Sequence, residues 1–230
     1  MMKVFLFAMV FFVGVGSVSA AAAVTPKPKK VRASLPGLLV EVEKKYSEVG
    51  TLEAQFSQVN DLALLKKKQE STGKIYFKKP GKLRWDTLKP DKSNLVSDGK
   101  VYWYYTPPFE EGERGQVIEK KSAEVQSKLA QLLLTGAFKE AVASKSMTIT
   151  ALAANRFSLK PKADSAGTVE KAEITIDLTD KLITEVFLSH ANGNTSRIQL
   201  SEIKLGKKLD NSFFQFKAPP NTDIVRDANE

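Results

Sequence analysis

The side chains that could do nucleophilic, acid–base or metal chemistry are few in this 230-residue chain. Cysteine is absent, which excludes thiol catalysis, disulfides and cysteine-ligated metals, and the only histidine is His190. No serine stands in a nucleophile-elbow pattern, and no glycine run resembles a phosphate-binding loop. A glycoside-type carboxylate pair remains open among the 26 acidic residues, but nothing in their spacing singles one out. We therefore predict no catalytic residue, no metal ligand, no cofactor and no enzymatic activity.

Aromatic side chains instead indicate a site for apolar ligands. Residues 73–109 read GKIYFKKPGKLRWDTLKPDKSNLVSDGKVYWYYTPPF, which predicts aromatic-rich strands joined by tight Pro/Gly turns. Leu83 and Trp85 fall on one face of their strand, whereas around Trp103 both faces carry rings. Any one of these rings could belong to an ordinary core, but together they favour an apolar pocket.

The first twenty residues predict export. A basic start at Lys3 precedes the apolar run Val4–Val13, which is shorter than the ~20 residues that a membrane span needs. The small residues Val18-Ser19-Ala20 fit a signal-peptidase site, so we predict cleavage after Ala20, with a second site in 21–23 left open. An uncleaved anchor is the alternative. Because no cysteine follows the leader, the protein is not expected to be a lipoprotein itself.

The net charge of +9 is compatible with several kinds of partner or with none. Export argues against a nucleic-acid partner, and the lysines are scattered rather than gathered on one predicted helix. A solvated surface, attraction to anionic lipid headgroups, or an acidic partner protein all remain open.

Two helices and a long series of short strands must position the aromatic residues. After a linker at 21–33, helical spacing runs from an N-cap at Ser34 to a stop near Gly50 through Leu35, Leu38, Leu39, Val42 and Tyr46. A second helix is predicted over 122–139, with Leu129, Leu132 and Leu133 on its apolar face and Phe138 at its edge.

Period-two patterns separate and follow the helices. A strand begins at Thr51, residues 109–115 read as a loop, and the further predicted strands are Lys74–Lys78, Lys82–Thr87, Ser93–Ser97, Val101–Tyr105, Met147–Leu152, Arg156–Leu159, Ala172–Leu178, Ile183–Ser189, Thr195–Ile203 and Phe213–Phe216. We therefore expect one mainly β (α+β) domain over 34–230, with a single large antiparallel sheet. With only two helices to cover its apolar face, such a sheet closes on itself or leaves an apolar concavity.

The aromatic segment also carries a family resemblance. Its motifs are Lys79-Pro80-Gly81-Lys82-Leu83-Arg84-Trp85, Leu95-Val96-Ser97-Asp98-Gly99 and Trp103-Tyr104-Tyr105, with supporting matches at 56–58, 157–161 and 213–220. In these features the chain resembles the outer-membrane lipoprotein carrier family, LolA.

The resemblance implies a fold and a function. It implies an incomplete β-barrel of about ten or eleven strands in one curved antiparallel sheet, with its concave face covered by a helical lid. It implies a monomeric periplasmic carrier of acylated lipoproteins, which takes them from an inner-membrane LolCDE-type ABC transporter to a LolB-type outer-membrane receptor.

Site residues follow from placing this sequence on that fold. The expected lipid-binding cavity is lined by Phe56, Leu83, Trp85, Trp103, Ile174 and Ile176. The expected lid residues are Leu38, Leu39, Leu129, Leu132, Leu133 and Phe138. Lys79 stands where well-known members have an arginine that latches the lid, and lysine offers a point charge rather than a planar fork of donors.

Two other functions remain open on the sequence alone. The same fold could carry a different lipid or glycolipid, or sense lipoproteins, because a fold does not determine its cargo. A structural envelope protein with a filled core and no ligand is the other alternative.

Overall fold

The predicted apolar stripe at the start of the domain forms helix α1, Gly37–Ser47. In this computed structural model residues 36–121, 132, 135–162 and 168–226 are described, and they belong to one compact unit, Ser34–Glu230. Leu39, Val42 and Tyr46 are buried on one side of α1 because they recur at helical spacing. The predicted N-cap, Ser34, lies outside the described residues.

Within the described residues, twelve strands form a single sheet. They are β1 (Thr51–Leu62), β2 (Lys67–Lys78), β3 (Lys82–Lys89), β4 (Ser93–Ser97), β5 (Val101–Thr106), β6 (Gly115–Lys121), β7 (Met147–Ala153), β8 (Arg156–Pro161), β9 (Val169–Ile176), β10 (Ile183–His190), β11 (Thr195–Leu205) and β12 (Thr222–Arg226). Their order across the sheet is β12-β6-β5-β4-β3-β2-β1-β11-β10-β9-β8-β7. The sheet is curved and open rather than a closed barrel, which confirms the predicted mainly β fold.

The sheet is wider than the expected ten or eleven strands and is not wholly antiparallel. β12 runs parallel to β6, and every other neighbouring pair is antiparallel. Neither β6 nor β12 was predicted, because the adjacent pairs Val117-Ile118 and Ile224-Val225 interrupt a two-residue alternation.

The prediction of a strand at Phe213–Phe216 was wrong. Asn211–Phe214 form a 3₁₀ helix, and the Asp210 side chain accepts a hydrogen bond from its first backbone N–H. The tight turn lets Phe214 be fully buried while the neighbouring Phe213 ring lies edge-on to Tyr76, 4.8 Å between centroids. A strand would send these consecutive rings to opposite faces.

The second predicted helix also ends differently. Residues 122–131 and 133–134 of the predicted span 122–139 lie outside the described residues. Within the described part the helix does not continue to Lys139, because Gly136 has φ +69°. A separate helix, α2, begins after this break and spans Phe138–Ala143.

The sheet has apolar residues on both faces. The covered face, defined as the one beneath α1 and α2, holds the principal core: Leu52, Ala54, Ile75, Phe77, Leu83, Phe157, Leu159, Ala172, Ile174, Ile176, Ile183 and Val186. On the opposite face, residues 211–216 pack against Tyr76, Trp103 and Tyr105. None of the described helices combines the length and apolarity needed to cross a bilayer.

Candidate functional site

Five of the six residues predicted to line a cavity lie on the covered face. Phe56, Leu83, Ile174 and Ile176 are buried there, and Trp85 packs half-buried against the same core. The Phe56 and Trp85 rings are 4.5 Å apart between centroids. Gly73 leaves room for the Phe56 ring and for β3, because a Cβ at that position would lie 2.8 Å from Cε1 of Phe56 and closer still to the Asp86 carbonyl oxygen.

The sixth residue, Trp103, lies on the opposite face, and the structure does not bring it together with the other five. Its Nε1 donates to the Glu119 carboxylate at 3.1 Å, and its ring stacks 6.4 Å from that of Phe216. The register of β4 and β5 explains the difference, because Ser97 pairs with Tyr102 and Val96 with Trp103. Tyr102 therefore points to the covered face and Trp103 away from it.

Four of the six residues predicted for the lid contact the same core. Leu39, Leu132 and Phe138 are buried in it, and Leu38 packs half-buried against it. Leu129 and Leu133 lie outside the described residues. The covered face is thus closed by apolar side chains from α1, from α2 and from the segment before α2.

Lys79 joins the β2–β3 turn to the end of α1. Its ammonium group donates to the Tyr46 carbonyl at 2.7 Å, and its backbone N–H donates to the Gly50 carbonyl at 2.8 Å. The last carbonyls of a helix carry partial negative charge, so a cation is favourable there. Partial burial lowers the pKa of Lys79 from its ordinary value of 10.5.

Tyr46 sits at the centre of this junction. Its hydroxyl oxygen accepts a hydrogen bond from the Ile183 backbone N–H at 3.2 Å, which ties α1 to the start of β10. Burial raises the pKa of Tyr46 to about 12, and the bond from Ile183 offsets part of that effect. Gly136 lies directly against the ring, since a Cβ there would be 3.1 Å from the Tyr46 Cβ.

Further polar contacts hold α1 in place. Glu41 pairs with Lys181 at 3.2 Å, and the Lys45 ammonium donates to the Asp180 carbonyl, both in the turn between β9 and β10. On the other side, the Glu43 carboxylate accepts a hydrogen bond from the Lys139 backbone N–H at 3.0 Å, in the first turn of α2. Helix α1 therefore bridges the sheet and α2.

Sequence reasoning missed part of the covered face. Leu52, Phe77, Phe157, Leu159 and Ile183 are buried there beside the predicted residues. The signal was present for Phe157 and Leu159, which alternate with Ser158 and Lys160 along β8.

The described polar groups outside this face do not form a recognisable catalytic or metal site. The His190 ring nitrogens lie 3.2 Å from the Thr168 hydroxyl and 3.3 Å from the Ser196 hydroxyl, and burial lowers the pKa of the ring. Within the described residues, no three His, Asp or Glu side chains are grouped so that they could hold a metal ion.

Comparisons with known proteins give consistent matches along the chain. Residues 47–217 match the family described as "Outer membrane lipoprotein carrier protein LolA". The outer-membrane lipoprotein carrier protein of Methylococcus capsulatus is 30% identical over 181 residues, which are 77% of this chain and 82% of that protein. That of Shewanella woodyi is 31% identical over 183 residues, 80% of this chain and 83% of that protein. A solved LolA superfamily protein from Nitrosomonas europaea is 11% identical, with a TM-score of 0.42 and coverage of 77% and 97%.

Proposed function

The chain belongs to the LolA family of outer membrane lipoprotein carrier proteins, and we propose on that premise that it carries lipoproteins through the periplasm with their acyl chains against the covered face. The observation that carries this proposal is the apolar face itself. It extends along one face of the sheet, from Phe56 and Trp85 on strands β1 and β3 to Ile174 and Ile176 on strand β9. Apolar side chains of α1 and α2 lie above it.

Acyl chains need such a face in order to cross water. Burial of each methylene is worth about 0.8 kcal/mol, so a lipoprotein with long chains does not leave a membrane unaided. A carrier has to offer comparable apolar surface and still release its cargo. Helices that cover the face when it is empty meet both needs, because the apolar surface is exposed only when cargo replaces them.

The lid of this carrier comprises α1, α2 and the segment that precedes α2. Leu38, Leu39, Leu132 and Phe138 are its apolar contacts with the sheet, and Lys79 is its latch. The supporting contact is the 2.7 Å hydrogen bond from the Lys79 ammonium to the carbonyl of Tyr46, at the end of α1.

Transfer between two membranes requires a donor and an acceptor. An inner-membrane LolCDE-type ABC transporter loads the carrier, and a LolB-type outer-membrane receptor unloads it. The leader over 1–20, cleaved after Ala20, delivers the chain to the periplasm; residues 21–33 are a linker, and 34–230 form the carrier domain. The protein acts without an enzymatic step.

A release assay on spheroplasts tests the function. Purified protein is added outside spheroplasts of a bacterium that makes lipoproteins, and the supernatant is examined for acylated lipoproteins that co-elute with it. We expect soluble one-to-one complexes. Binding of a fluorescent fatty acid without any release would instead indicate a carrier of another lipid. If the protein neither releases lipoproteins nor binds the fatty acid, a structural role is favoured.

Two tryptophan variants test the site in the same assay. Trp85→Ala removes a ring from the covered face, and we expect about a tenfold weaker affinity for the fatty acid and less release. Trp103→Ala removes the same side chain from the opposite face and serves as the matched control. Equal losses from both variants, at equal stability in urea, would contradict the placement of the acyl chains on the covered face.

A further inference from the structure

The β1–β2 hairpin ends in two exposed leucines. Its tip, residues 63–68, consists of the 3₁₀ helix Ala63–Leu65 followed by three consecutive lysines, Lys66, Lys67 and Lys68. Leu64 is 89% exposed and Leu65 is 69% exposed. Burying such side chains is favourable, so two of them at one protruding turn require an explanation.

The tip lies outside the buried core of the covered face. None of the residues from Ser57 to Thr72 is buried, so the outer half of this hairpin extends beyond the core. Lys79 and Gly50 mark the opposite end of the same hairpin. Strands of twelve residues separate the two ends by roughly 35–40 Å.

The strand pairing and hydrogen bonds of the hairpin keep the two leucines exposed. β1 and β2 remain paired as far as Leu62 and Lys67, and Lys66 closes the turn with φ +48°. The Ala63 backbone N–H donates to the Asn194 side-chain oxygen at 3.0 Å, which ties the tip to the β10–β11 turn. The exposed position of Leu64 and Leu65 is therefore built into the hairpin.

All the charges within the tip are positive, although Asp61 lies opposite Lys68 in the β1–β2 ladder. From Leu62 to Gln69 there are three lysines and no acidic residue, with Asp61 and Glu70 just outside this stretch. Among the described residues, no carboxylate forms an ion pair with Lys66, Lys67 or Lys68. Apolar side chains flanked by unpaired lysines suit the boundary between anionic headgroups and acyl chains.

We propose that the hairpin tip docks the protein onto anionic phospholipid bilayers, with Leu64 and Leu65 entering the interface and the three lysines contacting headgroup phosphates. A bilayer is the partner because the tip is convex, and a soft surface admits two protruding leucines without a matching pocket. This contact is separate from cargo binding and goes beyond the proposed function. It brings the carrier to either membrane before cargo is exchanged.

Vesicle flotation tests the proposal. Purified protein is mixed with vesicles of phosphatidylethanolamine containing about one quarter phosphatidylglycerol, and in parallel with pure phosphatidylcholine vesicles. We expect binding to the anionic vesicles alone, weakened as salt concentration rises. Replacing all three lysines by glutamine should weaken binding by about a hundredfold, since each contributes about fivefold. Leu64→Asn with Leu65→Asn should weaken it by about tenfold.

Matched controls separate the tip from general charge and apolarity. Lys100, Lys160 and Lys204 are exposed on other strands and turns, and their replacement by glutamine removes the same charge. Leu178→Asn removes an exposed leucine, 52% accessible, from the β9–β10 turn. Equal losses from tip and control variants, or no binding by the unaltered protein, would overturn the proposal.

Cargo assays distinguish this proposal from the carrier function. The tip variants should form lipoprotein complexes and bind fatty acid as the unaltered protein does, because no residue of the tip belongs to the buried core of the covered face. If lipoprotein delivery is lost while vesicle binding is unchanged, the tip recognises a protein partner and the proposal is wrong.

Discussion

Tyr46 links helix α1 to three other parts of the molecule. Its carbonyl accepts from Lys79, its hydroxyl accepts from the Ile183 N–H, and its side chain contacts Gly136. The β2–β3 turn, the start of β10 and the approach to α2 therefore meet at one residue. A substitution at Tyr46 should alter the packing of both the sheet and the helices that cover it.

The raised pKa of Tyr46 predicts a pH dependence of stability. The pKa is about 12 in the folded protein and about 10 in the unfolded chain, so the folded state keeps its proton longer. The stabilisation is therefore fully present below pH 10 and is lost as pH rises toward 12. The loss amounts to about 2–3 kcal/mol at an energy of ~1.36 kcal/mol per pKa unit.

Urea unfolding of the unaltered protein and of Tyr46→Phe between pH 9 and about 12 measures this dependence. Lysines titrate in the same range, so the difference between the two proteins is the relevant quantity. Tyr46→Phe should be less stable near pH 9 by about 1–2 kcal/mol, because Ile183 loses its acceptor. This gap in stability should close and then reverse as pH approaches about 12, because ionisation of Tyr46 costs the unaltered protein more than that. A gap that stays constant with pH would contradict the prediction.

Helix α1 is held against the sheet by several polar contacts. Lys79, the Ile183 N–H, Asp180 and Lys181 all hold it against strand ends and turns. The approach to α2 instead contains a change of backbone direction at Gly136, with φ +69°. Movement of α2 about this point would uncover Phe138 and Leu132 before the contacts that hold α1 are broken.

Gly136→Ala tests how tightly that approach is packed against α1. The new Cβ would lie 3.1 Å from the Tyr46 Cβ and would also be strained by the positive φ. We expect the free energy of unfolding to fall by about 2–3 kcal/mol, measured by urea unfolding.

Gly112→Ala is the matched control for that variant. Gly112 also has a positive φ, +90°, but nothing lies within 4 Å of the Cβ position. It should therefore show only the cost of the backbone conformation, about 1 kcal/mol. If the two variants lose the same stability, the contact between Gly136 and Tyr46 has no energetic importance.

Because the sheet is open, its apolar face must be shielded from water when no cargo is bound. One face carries the principal core and depends on helices to cover it, while residues 211–216 cover part of the other face. If cargo replaces the helices, every interaction that holds them down weakens cargo binding by the same free energy. On the proposed lid mechanism, the strength of the contacts that α1 and α2 make with the sheet would set the apparent affinity.

Lys79→Ala should bind a fluorescent fatty acid more tightly than the unaltered protein. Removing one hydrogen bond from a charged donor is worth about 1.5 kcal/mol, which corresponds to roughly a tenfold change in the apparent dissociation constant. Lys79→Arg should stay near the unaltered value, because it keeps the charge and the donors. Fluorescence titration gives the three affinities.

The neighbouring lysine provides a control for that change. Lys78 donates in the same way to a backbone carbonyl, that of Leu209 at 2.6 Å, in the chain approaching the 3₁₀ helix on the opposite face. Lys78→Ala should leave fatty-acid affinity unchanged. A similar gain from both alanine variants would indicate general loosening rather than release of a latch.

Local sequence patterns were sufficient to assign the family and the strand positions that share a face. Side chains alternate along any strand, so Leu83 and Trp85, like Ile174 and Ile176, were assigned to common faces from local spacing alone. The motifs over 79–105 predicted a LolA-type carrier fold, and the family and the mainly β architecture are confirmed. These inferences succeed because they depend on residues close together in the chain.

Local patterns could not show which face of the sheet the helices cover or which side chains pack together on that face. Apolar residues stand on both sides of β5, so local pattern could not place Trp103 on the face opposite Leu83. The parallel pairing of β12 with β6 and the contact of Lys79 with Tyr46 join residues more than 30 positions apart. Such choices depend on how the whole sheet curves and which surfaces remain to be buried, and no short stretch of sequence records that.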